Sequence, residues 1–93
     1  MKPLSELQIL AGLRDLSGWE YADNAIHTSF EFDNFKDCFT VMTRIAFEVE
    51  KVNHHPDWSN VYKTLHISLS THDAGGVTEK DLELAAIINE LVA

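Results

Sequence analysis

A chain of 93 residues has room for one hydrophobic core and reads as a single domain over residues 1–93; folding at that size buries only about two-thirds of the unfolded surface, so pairing with another copy would add stability. Hydrophobic content of 45% and charged content of 24% describe a soluble globular protein, and a net charge of −8 with only seven scattered Lys and Arg argues against a nucleic-acid surface. The lone cysteine, Cys38, excludes an internal disulfide; no apolar run approaches a membrane span and no signal-peptide pattern is present, so a cytoplasmic location is expected.

Ser5 followed by Gln8 forms a capping-box pattern that opens a short helix with Leu7, Leu10 and Ala11 at helical spacing, and Gly12 is placed to end it. Trp19 to Tyr21 and Ala25 to Phe32 read as strands joined around the turn-forming pair Asp23-Asn24. In the second of them Ile26, Thr28, Phe30 and Phe32 share one face, and His27, Ser29 and Glu31 the other.

From Asn34 to Lys51 the period becomes helical, with Phe35, Cys38, Phe39, Met42, Ile45, Ala46 and Val49 in one apolar stripe and Asp33 or Asn34 as the cap. Phe47 sits off that stripe, where an exposed aromatic is a candidate subunit contact. Pro56 disfavours helical geometry at His55, so the helix must end before the His54-His55 pair, in a helix-to-strand corner.

Trp58 to Tyr62 is a short strand, and Thr64 to Thr71 is a longer one with Leu65, Ile67 and Leu69 facing one way. His72 arrives at its end. Asp73 to Val77, with Gly75-Gly76, is a loop, and Thr78 caps a last helix carrying Leu84, Ile87, Ile88 and Leu91 on one side. The order predicts an α+β fold: a four-stranded, mainly antiparallel sheet with three helices packed on one face.

Chemistry concentrates between Glu50 and His72. Four of the five histidines fall there, and His54, His55 and His72 stand beside carboxylates and an indole. Imidazole titrates near neutrality, so such a group suits proton transfer or metal binding. Adjacent histidines before a proline match no common zinc framework, and the only cysteine lies on an apolar helix face, so no metal is expected. Cys38 as a core residue, and the absence of a nucleophile elbow or a phosphate-binding glycine loop, weigh against nucleophilic and nucleotide chemistry. Acid–base catalysis needs only imidazoles within reach of a small substrate, with a carboxylate such as Glu50, Asp57 or Asp73 to orient them and Trp19 and Trp58 as flat walls. His27 reads as an ordinary surface histidine, and His66 points off the sheet.

The spacing Glu50, His54-His55-Pro56, Tyr62, His72, Asp81, together with Asn53, Trp58, Val61, His66 and Leu69-Ser70-Thr71, resembles the signature of the pterin-4a-carbinolamine dehydratases. The resemblance spans essentially the whole chain, with Asp57 and Asp73 standing where Glu would fit equally well. It implies dehydration of 4a-hydroxytetrahydropterins to quinonoid dihydropterin in the recycling of the pterin cofactor, with no metal or organic cofactor. It also implies a homodimer or homotetramer.

Carried over, the resemblance makes His54, His55 and His72 the catalytic histidines, His54 and His72 as acids and His55 as pterin ligand and base. Glu50 would orient a histidine; Trp19, Trp58, Pro56 and Asp73 would surround the substrate, and the Ser70-Thr71 backbone would meet its polar edge. Two other roles come with the family. One is as protein-binding dimerisation cofactor of a transcription factor, through a helical surface; the other is pterin handling in molybdopterin metabolism.

Overall fold

The computed structural model describes residues 2–93. Ser5 opens helix α1 (Glu6–Leu13) with the reciprocal bonds of a capping box: its hydroxyl accepts the Gln8 N–H at 3.2 Å, and the Gln8 side chain accepts the Ser5 N–H at 2.8 Å. Two expectations fail in this helix. It runs through Gly12 to Leu13, and a Cβ at Gly12 would lie 2.6 Å from a methyl of Leu82 in α3 (Glu79–Val92), so the glycine serves close helix approach rather than termination. The face turned inward is also not Leu7-Leu10-Ala11. Leu7 is 81% exposed, whereas Ile9 is 1% exposed, with half-buried Gly12 and Leu13 three and four residues on.

Strands β1 (Glu20–Ala22), β2 (Ala25–Glu31), β3 (Asp57–Val61) and β4 (Thr64–Leu69) form one sheet in the order β1-β2-β4-β3, antiparallel throughout. Asp23 and Asn24 both take positive φ, 50° and 62°, the geometry a two-residue hairpin turn demands and that Asn and Asp tolerate. Alternation does the rest. Ile26, Thr28, Leu65, Ile67 and Leu69 are buried beneath the helices, while Ser29 and His66 stand on the open face.

Helix α2 (Phe35–Val52) is capped by Asn34, whose side chain accepts the Asp37 N–H at 2.8 Å. It turns Cys38, Ile45 and Val49 inward, and α3 adds Leu84, Ala85 and Ile88 to the same core. Each such fully buried aliphatic side chain contributes about 1.5–3 kcal/mol. The predicted stripe on α2 is wider than its buried part: Phe35 and Phe39 remain 45% and 53% exposed, and Phe47 is 68% exposed.

Cys38 is fully buried, its sulfur accepting from Asn60 Nδ2 at 3.4 Å, and burial pushes the thiol above its usual ionisation range. The folded protein thus keeps a proton that the unfolded chain sheds in mild alkali. Its stabilising contribution is present below the unfolded thiol's range and is lost as pH rises towards the folded one. Labelling by a thiol reagent at neutral pH should be slow in the native protein and fast in urea. Fast native labelling would show that the α2–β3 contact opens readily.

Candidate active site

The corner that carries the histidines begins with the end of α2. Asn53 takes the left-handed conformation (φ 51°, ψ 45°), its N–H donating to the Val49 carbonyl, and Asn adopts that geometry at low cost. The chain turns back there and enters β3 through His54, His55 and Pro56. Because Asp57 pairs with Ser68 in an antiparallel register, the chain before β3 runs alongside the chain after β4. His54 and Thr71 are thereby drawn to the same place.

What joins them is Asp81. His54 Nε2 lies 2.5 Å from Asp81 Oδ1, with the His54 side chain 11% exposed and Asp81 0% exposed. The other oxygen, Oδ2, accepts from the Thr71 hydroxyl and from the Thr78 N–H, each at 2.8 Å. Asp81 is the third residue of α3 and closes a capping box with Thr78, where the helix dipole also favours a carboxylate. A carboxylate only accepts, so His54 carries its proton on Nε2 and leaves Nδ1 as its free end. Among the described residues, every buried side-chain polar atom finds a partner.

His55 faces elsewhere. Its Nε2 is 3.5 Å from Glu50 Oε2, and both side chains are largely exposed, so the pair orients more than it stabilises. With Glu50, Ala46, Val49, Pro56 and Trp58 it lines a shallow cavity of about 160 Å³. His54 borders a second cavity of about 170 Å³, lined by Val52, Lys80, Glu83, Leu84 and Ile87. His72 opens a short 3-10 turn (His72–Ala74) directly after Thr71; it and Asp73 are exposed.

The structure therefore groups His54, His55, Glu50, Pro56 and Trp58 around the corner, with His72 one residue beyond Thr71, which binds Asp81. It departs from expectation at several residues. Trp19 is a core residue, 6% exposed, its indole N–H donating to Asn89 Oδ1 at 2.9 Å, and Asn89 lies about 12 Å along α3 from Asp81. Its place is under the sheet, away from the corner of His54 and His55.

Thr71 is 5% exposed, with its N–H given to Gly76 and its carbonyl taken by Ala74 and Gly75, so its backbone shapes the loop and is not free for a ligand. The Ser70 hydroxyl donates to the Asn24 carbonyl, a side-chain bond that leaves the expectation for the Ser70 backbone untouched. Neither Asp57 nor Asp73 pairs with a histidine; Asp81 orients His54, and Glu50 lies beside His55. The signals for Asp81 in the sequence are its place at the end of the family-like spacing, which assigns it no role, and a carboxylate three residues after the Thr78 cap.

A wider cavity, about 560 Å³, lies on the open sheet face, lined in part by His27, Ser29, Asp57, Trp58, His66 and Ser68. There His66 Nδ1 meets Ser29 Oγ at 2.5 Å and His27 Nε2 donates to the Ala22 carbonyl at 2.8 Å, and Trp58 lines both this cavity and the one beside His55. Among the described residues no three His, Cys, Asp or Glu converge as metal ligands, and no helix is long and apolar enough to cross a membrane.

Residues 2–91 match the family model described as Pterin 4 alpha carbinolamine dehydratase. A relative from Christiangramia forsetii bearing the pterin-4-alpha-carbinolamine dehydratase name is 60% identical over 92 residues, covering 99% of this chain and 95% of its own. One of the same name from Chelativorans sp. is 48% identical over 92 residues, covering 97% and 94%. The crystal structure of a transcriptional coactivator/pterin dehydratase from Brucella melitensis superposes with a TM-score of 0.96 at 37% identity, over 99% of this chain and 100% of that one.

Proposed function

The chain belongs to the pterin 4 alpha carbinolamine dehydratase family, and on that footing we propose that it dehydrates 4a-hydroxytetrahydropterin to quinonoid dihydropterin and water by histidine acid–base catalysis. The observation that carries this reading is the buried Asp81 carboxylate holding His54 by Nε2, which fixes which nitrogen is offered to a substrate. A neutral His54 then presents a lone pair at Nδ1, and a protonated one presents N–H.

The reaction asks for little more. The substrate's hydroxyl sits on a ring carbon beside a nitrogen. As the nitrogen lone pair forms a C=N bond the C–O bond breaks, the hydroxyl leaves as water with a proton from an acid, and the nitrogen's own proton goes to a base. His54 and His72 are the acids, on opposite sides of the pterin. His55, steadied by Glu50, holds the ring and takes the nitrogen's proton, and Trp58 and Pro56 form the apolar wall. Positioned acid–base groups supply about 10²- to 10⁴-fold, and a departing hydroxyl already pushed by nitrogen needs no stronger electrophile.

The deciding measurement mixes chelator-treated protein with freshly generated 4a-hydroxytetrahydropterin and follows the quinonoid product by absorbance. Acceleration proportional to protein concentration is the expected result. Folded protein that leaves the spontaneous rate unchanged would refute the dehydratase reading. The weight would then pass to a second one, a protein-binding role, favoured by the exposed phenylalanines of α2, where Phe35 and Phe39 rings lie 5.5 Å apart and Phe47 stands alone. That surface is also where a homodimer or homotetramer would find apolar area.

A further inference from the structure

His72 is the histidine with the least visible support. Its imidazole is exposed and makes no hydrogen bond among the described residues, so its position depends wholly on the loop that carries it. Internal bonds give that loop its shape: Thr71 N–H to Gly76 O at 2.9 Å, Gly75 N–H to Thr71 O at 3.0 Å and to His72 O at 3.1 Å. The buried Thr71 hydroxyl pins the start of the loop to Asp81 and Thr78, but neither set of bonds holds the far side of the loop against the sheet.

We propose that Asn24, at the tip of the β1–β2 hairpin, is a positioning residue for His72; the catalytic consequence rests on the dehydratase reading above. Asn24 Nδ2 donates to the Gly75 carbonyl at 2.6 Å, and the Asn24 carbonyl accepts from the Ser70 hydroxyl at 3.0 Å. The turn thus grips the loop on both sides of His72. Gly76 supplies independent evidence of the close fit, because a Cβ there would lie 2.9 Å from Asn24 Oδ1 and 2.9 Å from Pro3 Cβ. Asn24 meets two demands at once: a short amide tolerates φ of 62°, and the same amide reaches the loop.

Two variants separate these demands. Asn24→Gly keeps the positive φ and removes the donor; Asn24→Asp keeps size and turn tolerance but sets a carboxylate against the Gly75 carbonyl. Both are expected to melt near wild type, to lower kcat by roughly tenfold through misplacement of an acid, and to shift or broaden the His72 ring signals in NMR spectra while those of His66 stay. His72 signals unchanged in both variants would overturn the proposal, as would moved signals with an unchanged kcat. A wild-type protein without dehydratase activity would instead remove the functional reading, and the His72 signals would still decide whether Asn24 holds the loop.

Discussion

The variant His72→Ala should slow dehydration by about 10²- to 10⁴-fold and leave unfolding free energy within about 0.5 kcal/mol of wild type. The two halves of that expectation have one cause. The His72 side chain is exposed and gives nothing to packing or hydrogen bonding among the described residues, so removing it costs chemistry alone. His54→Ala should differ. It slows the reaction by a similar factor but also strips one of three donors from a carboxylate that is 0% exposed, a loss of about 1–3 kcal/mol. Rapid-mixing kinetics and urea unfolding on the two single variants and the double variant resolve the difference. Near-normal dehydration by the double variant would remove both histidines from the mechanism, and equal stability of the two single variants would deny His54 its structural share.

Most of the fold was legible because the chain alternates cleanly where it pairs. Ile26 to Phe32 and Thr64 to Leu69 separate inward from outward residues by period two, and Asp23-Asn24 can hardly do anything but turn. Helix α1 was not legible in the same way. Leu7-Leu10-Ala11 and Ile9-Gly12-Leu13 are both spaced i, i+3, i+4, and only the approach of Leu82 to Gly12 selects the second.

The histidine corner could be placed from Pro56 and the end of the α2 stripe. The assignment of side chains to the site could not be made as firmly, since a tryptophan serves equally as core or as pocket wall. Trp19 proved to be core because Asn89, seventy residues away in sequence, accepts its indole proton. Asp81 stands in the family-like spacing, but its role was hidden for the same reason: locally it is a helix-capping residue, and its second partner comes from another part of the chain.

Asp81 should accordingly be the costliest residue to lose. Asp81→Ala deprives the Thr78 N–H, the Thr71 hydroxyl and His54 Nε2 of their shared acceptor inside the protein, and about 3–5 kcal/mol of stability should go with it. That is a large fraction of the roughly 5–15 kcal/mol a domain has. Asp81→Asn asks a finer question. Its carbonyl oxygen can still accept from Thr78 and Thr71, so the fold should survive with a smaller loss. Its NH₂ group, however, then points at His54 Nε2, which must become the acceptor and move its proton to Nδ1. The free end of His54 becomes the N–H of a neutral ring, a far weaker acid than the imidazolium that the carboxylate supports, and the Nδ1 lone pair that would take a proton back is gone; dehydration should fall by about 10²-fold or more. Nitrogen chemical shifts of the His54 ring report the tautomer directly, alongside the rate and the unfolding curve. A switched tautomer with an unchanged rate would mean that His54 is held by Asp81 for the sake of the fold alone; an alanine variant as stable as wild type would mean that the corner is held by something other than this carboxylate.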